Sequence, residues 1–232
     1  MALPKLNDTP KYEIKIPSTG KKIKFRPYLV KEEKILLMAL EGKDKKEISI
    51  AINKILEACV YDEIDFSKLP TFDIEYLFLM LRSKSVGEVI SFRLGHTGDT
   101  ECKHKTDIEI NLNDVNVEGE IQDGTIMLDD KVGIKVRYPS IDSLDASSKD
   151  SRDILGVIAD CIDVVFDEED IYDDFKRDEL IEWLGNLNQS QYKKINDFFG
   201  SAPKLSYTAK WKCQECGEED EMTIEGLYNF FM

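Results

Sequence analysis

Residues suited to catalysis are scarce in this chain. Its 232 residues include two histidines, His96 and His104, set in a turn rich in Gly, Thr and Asp. No Ser–His–Asp or Cys–His order can be built on them. Neither GxxxxGK[ST] nor GxGxxG occurs, which removes the common Gly-rich phosphate cradles. Basic and aromatic residues do not interleave along any stretch, as a nucleic-acid platform requires. No apolar run nears the roughly 18–20 residues that span a bilayer, and the N-terminal MALPKLNDTPKYEIKIP lacks a charged stretch leading into an apolar one. The expectation is a cytosolic protein with no membrane-spanning segment. Cysteines number five (Cys59, Cys102, Cys161, Cys213 and Cys216), an odd count in a long chain, which argues against a disulfide scaffold.

What is abundant is acid. Asp and Glu total 46 against 31 Lys and Arg, a formal charge of −15. Such a surface repels nucleic acid and anionic bilayers on average. The surplus either keeps the protein soluble or meets a basic partner. Hydrophobic residues make up 42%, enough to build a core at this length.

The spacing of apolar residues predicts an α+β protein. Tyr12–Ile16 and Lys22–Phe25 flank Pro17-Ser18-Thr19-Gly20, an opening hairpin after a loose tail over residues 1–10. Three helices follow: Lys31–Glu41, a stripe of Ile48, Ile52, Ile55, Leu56 and Cys59, and the almost wholly apolar run IEYLFLMLR, which Thr71 would cap. The middle of the chain reads as strands at Val89–Leu94, Ile108–Leu112, Thr125–Leu128 and Gly133–Tyr138. Ile154–Val165 reads as a helix running into a short apolar exit. Two more helices carry Leu180, Ile181, Trp183, Leu184 and Leu187, then Tyr192, Ile195, Phe198 and Phe199, the latter with Ser190 as cap and Gly200 as stop. A last hairpin, Lys204–Lys212 with Asp220–Ile224, carries Cys213 and Cys216 in its turn and precedes the short helix EGLYNFF. Ser91–Leu112 and Leu205–Ile224 repeat one pattern: strand, polar turn with Cys, strand. A division near residue 115 gives parts 1–115 and 116–232.

Cys213-Gln-Glu-Cys216-Gly217 is the sharpest local motif. Two thiols at this spacing converge on one metal, and Gly lets the backbone turn beneath it. A structural zinc takes four ligands, and Cys102 and His104 from the earlier turn, with His96 also at hand, complete a set that joins the two ends of the chain. The alternative is a hairpin with two free thiols. A redox CxxC normally opens a helix, which this one does not. Asp163–Glu182 holds ten carboxylates; it fails the EF-hand pattern and reads either as a solvated face or as a docking surface for a basic partner. Arg26-Pro27-Tyr28-Leu29 reads as a buried pivot or a partner anchor. Leu227, Tyr228, Phe230 and Phe231 form either a partner anchor or a terminal helix packed on its own core.

IPSTGKKIKFRPYLVKEEKILLMAL, LPTFDIEYLFLMLRSKSVGE, VGIKVRYPSI and CQECGEEDEMTIEGLYNFF, in this order, resemble the baseplate hub subunit and hub assembly family of T-even-like contractile-tailed bacteriophages. The matching pieces run from about residue 12 to the C-terminus. The resemblance implies a non-enzymatic role in tail assembly, as a minor hub component or a chaperone-like factor, with other baseplate hub or tail proteins as partners. It places the protein in the host cytoplasm during assembly, and afterwards either in the tail baseplate of the virion or released from it. It also implies a zinc-ribbon-like pair of hairpins, from which the first turn departs, with Cys102-Lys103-His104 in place of a clean CxxC. Competing readings are a zinc-ribbon-like binding module or host-directed regulator, and a carboxylate-and-metal hydrolase supported only by acid abundance.

Overall fold

The computed structural model describes residues 9–42, 44–96, 101–140 and 154–230. Most of the expected N-terminal tail, the tip of the first Cys-bearing turn and Phe231 lie outside these. The fold is α+β, and the chain groups into two compact units. One takes the chain up to Ile64, Phe72–Glu118 and everything from Lys204; the other takes Asp65–Thr71 and Gly119–Pro203.

The first unit opens with the hairpin β1 (Tyr12–Lys15) and β2 (Lys22–Phe25), paired antiparallel from Tyr12↔Phe25 to Lys15↔Lys22. Gly20 turns it at φ 67°. Helices α1 (Val30–Gly42), α2 (Lys45–Cys59) and α3 (Thr71–Ser85) follow. Asp44 caps α2 by accepting the Lys46 N–H. Apolar residues cover nearly the whole circumference of α3, and Ile74, Leu77, Phe78, Leu79 and Leu81 are all buried, as that all-round pattern requires. Asp73 on α3 is also buried and accepts from the Ser18 N–H (2.9 Å) and hydroxyl, fixing the first turn to the helix.

Arg26 is a structural pivot. Its guanidinium donates to Glu32 Oε1 (3.0 Å), to the Pro27 carbonyl (3.0 Å) and to the Ala58 carbonyl (3.0 Å). Glu32, buried at 3% exposure, also accepts the Leu29 N–H at 2.7 Å, at the start of α1. One ion pair thus joins the end of β2 to α1 and to the last turn of α2.

Two further hairpins complete this unit. β3 (Val89–Gly95) pairs with β4 (Lys105–Asn111), and β10 (Lys204–Lys212) with β11 (Glu219–Glu225). They are the two halves of the repeated pattern. β5 (Asn116–Glu118) pairs antiparallel with the start of β10, Glu118 opposite Lys204. That pairing returns the C-terminal hairpin to the N-terminal part, so the contact grouping is discontinuous and differs from the linear division 1–115 and 116–232. Leu227 and Phe230 of the closing 3₁₀ turn are buried and Tyr228 is exposed, so this segment packs on its own core.

The second unit is built on a four-stranded antiparallel sheet in the order β6 (Thr125–Met127), β7 (Gly133–Val136), β8 (Ile162–Phe166), β9 (Ile171–Tyr172). Helices α4 (Ile154–Asp160), α5 (Arg177–Gly185) and α6 (Gln189–Gly200) accompany it. The expected helix over Ile154–Val165 stops at Asp160. Ile162, Val164, Val165 and Phe166 are β-branched or aromatic, and they pair with β7. The cap of α6 is Asn188, whose carbonyl accepts the Ser190 and Gln191 N–H groups, and not Ser190 itself. Tyr138 stacks on Phe198 with ring centroids 4.8 Å apart. Gly124 is required at φ 81°, since a Cβ there would lie 2.0 Å from the Val136 carbonyl oxygen.

Burial raises the Glu32 carboxyl, but the Arg26 guanidinium and the Leu29 N–H outweigh it and hold the folded value below the usual 4.5. The stability this pair contributes is therefore full above the unfolded value and is lost as pH falls through the lowered folded one. Arg26→Ala strands a buried carboxylate and is expected to cost about 3 kcal/mol in urea unfolding at neutral pH. Glu32→Gln is expected to flatten the acid limb of the stability profile.

Candidate metal centre

The turns of the two seven-residue hairpins converge. His96 follows β3, Cys102 lies just before β4, Cys213 follows β10, and Cys216 sits in the turn before β11. Among the described residues, His96, Cys102, Cys213 and Cys216 form a group whose ligand atoms all lie within 4.8 Å of one another. Cys102 Sγ is 3.8 Å from Cys213 Sγ, and Cys216 Sγ is 3.3 Å from His96 Nε2. A tetrahedral zinc with Zn–S near 2.3 Å sets neighbouring sulfurs about 3.8 Å apart, and sulfur and imidazole nitrogen about 3.5 Å apart. Three thiols and one imidazole on this spacing fit zinc.

Local backbone chemistry prepares the CxxC turn. The Cys213 N–H donates to the Glu218 carbonyl (2.8 Å), and the Gly217 N–H to the Cys213 carbonyl (3.0 Å) with Gly217 at φ 77°. The N–H groups of Cys216 and then Glu215 point at the Cys213 sulfur and bring its thiol down to about 6, so it is largely thiolate at neutral pH. For Cys216 the Glu218 N–H favours the thiolate, but desolvation and the neighbouring sulfurs of Cys213 and Cys102 outweigh it and push the thiol up to about 11. The pair thus shares one proton, which a bound cation would displace. None of the five cysteines is in a disulfide.

His96 is the fourth member. Its Nδ1 lies 3.2 Å from Asp220 Oδ2 on β11, and its side chain is 4% exposed. A carboxylate holding Nδ1–H turns Nε2 toward the sulfurs, the arrangement that supports an imidazole ligand from behind. The set anticipated from sequence was Cys102, His104, Cys213 and Cys216. The structure gathers its three cysteines and puts His96 where His104 was expected. His104 Nδ1 instead lies 3.3 Å from Glu215 Oε2, with Nε2 buried and unpartnered. Gly95 pairs with Lys105, so His96 and His104 leave the hairpin at neighbouring positions, and different carboxylates, Asp220 and Glu215, hold the two rings.

Purified protein is expected to carry about one equivalent of zinc by elemental analysis. His96→Ala and Cys213→Ser are expected to lose it, whereas His104→Ala retains it. Asp220→Asn should weaken affinity about 10–100-fold in a chelator competition.

No helix among the described residues is long and apolar enough to cross a membrane. Compared with known proteins, the chain is similar to the baseplate hub assembly protein gp26 of Enterobacteria phage T4, 24% identical over 223 residues that cover 95% of this chain and 97% of that protein. No solved structure matches. The family model described as "T4 bacteriophage base plate protein" matches residues 9–232. Over almost its whole length, then, the chain belongs to the T4 bacteriophage base plate protein family.

Proposed function

We propose that the protein acts in assembly of the baseplate hub of a contractile phage tail, by binding other hub or tail proteins and not by turning over a substrate. The similarity to a hub assembly protein along both full chains carries this reading. The side chains support it. The group of thiols and imidazole that converges among the described residues has the make-up of a closed structural site, with four protein ligands and no position left for a substrate. In this reading a zinc ion held by Cys102, Cys213, Cys216 and His96 staples the two hairpins, and the protein works in the host cytoplasm while the tail is being built.

Large apolar side chains stand exposed on the first helix, among them Val30 (81%), Leu37 and Met38. Exposed apolar groups of this size are the raw material of a protein interface. Co-expression with the hub and tail proteins of the same phage is expected to give a complex that survives gel filtration. Absence of binding to every one of them would count decisively against the assembly role.

A further inference from the structure

The acid-rich stretch from Asp163 to Glu182 surrounds an apolar groove in the second unit. The groove has a volume of about 420 Å³. Its floor is aromatic and aliphatic: Phe166 on β8, Tyr172 on β9, Phe175 in the connection, and Leu180 and Trp183 on α5. Leu180 is buried, Phe166, Phe175 and Trp183 are half-buried, and Tyr172 is 49% exposed. The Tyr172 hydroxyl donates to Asp167 Oδ2 at 3.1 Å, and Asp167 also accepts the Glu169 and Asp170 N–H groups at 2.9 Å, which fixes the ring at the mouth.

Around this floor acid predominates. Residues 163–182 hold ten carboxylates and two cations, Lys176 and Arg177. Arg177 is already committed to Asp160 at 2.8 Å. Lys131, the nearest cation on the β6–β7 turn, is paired with Glu168 at 3.4 Å. Glu169, Asp170, Asp173, Asp174 and Asp178 are exposed. Half-buried aromatics in a concave patch are the kind of residue on which binding energy concentrates, and a predominantly acidic rim selects the sign of what enters.

We infer that this groove is a docking site for a basic segment of a partner protein, in which Lys or Arg residues flank one or two large apolar anchors. The inference rests on the proposed assembly role and names the surface that serves it. The carboxylate rim repels phosphate, which removes nucleic acid as an occupant. It repels a second copy of this chain too, because every copy carries −15. An amphipathic helix laid with its apolar face in the groove and its cations against the rim satisfies both features at once.

The test uses the full chain and two synthetic amphipathic peptides with identical Leu and Phe anchors, one flanked by Lys and Arg and the other by Glu. Calorimetry is expected to show binding of the basic peptide, weakening about tenfold or more as salt rises, and none of the acidic one. Trp183→Ala, and separately the surface double substitution Asp173→Lys with Asp174→Lys, are each expected to weaken binding about tenfold or more. The double substitution touches only exposed side chains, so a matching melting curve separates lost docking from lost folding. Equal binding of the two peptides, or undiminished binding by both variants, overturns the inference. The hub complex is then assembled with wild type and with the double variant. A complex that forms equally well with both overturns the groove as the assembly surface and leaves the assembly role intact. Failure of wild type to form any hub complex sinks the assembly role and leaves the groove to the calorimetry.

Discussion

The meeting of two hairpin turns 111 residues apart in sequence, at Cys102 and Cys213, organises the first unit. Each hairpin alone is a two-stranded ribbon, marginal in water by itself. Four donor atoms gathered at their tips give both ribbons a common anchor that a shallow hydrophobic contact could not. The site also explains the placement of Asp220, which holds His96 from β11, so that the second hairpin supplies two of the three sulfurs and the carboxylate that holds the imidazole of the first. The spacing of the thiols, and the N–H groups aimed at Cys213, make sense only as a set.

The other anchor of this unit is the Arg26–Glu32 pair, and it has a different physical character. A buried ion pair adds little net stability over an apolar substitute, yet removing one half is severe. It fixes where β2, α1 and α2 meet. Leu56 of the α2 stripe then meets Leu77 and Leu81 of α3, with the hairpin residues Ile23 and Phe25 beside them.

Much of this architecture was legible in the sequence. The opening hairpin, the first three helices and the strand–turn–strand repeat follow from period, turn chemistry and caps. The CxxC and Cys102 were legible as candidate ligands, because thiols at a hairpin turn have few other uses. His96 was harder to choose over His104. Both sit in one turn, and only strand register and the distant Asp220 decide which ring faces the sulfurs. β8 reads in sequence as the exit of a helix because Ile154–Val165 is apolar but for Asp160 and Asp163, and a short apolar run carries no period of its own. The grouping of the C-terminal hairpin with the N-terminal part was not legible, since it depends on the three-residue strand Asn116–Glu118 finding Lys204–Ser206. The groove was visible only as a charge run; the aromatic floor comes from three elements brought together by folding.

The pairing of Glu118 with Lys204 has a consequence for how the chain is built. The stretch from Gly119 to Pro203 leaves and re-enters at adjacent ladder positions, and a Cβ on Gly119 would sit only 3.0 Å from Pro203 Cα. Once that stretch has folded, its two ends are already side by side, and the strands it separates meet at the entropic cost of a tight turn, not of an 85-residue loop. Such a stretch is a cassette: it could lengthen, shrink or be exchanged for another over evolutionary time while the ladder that receives it stays unchanged.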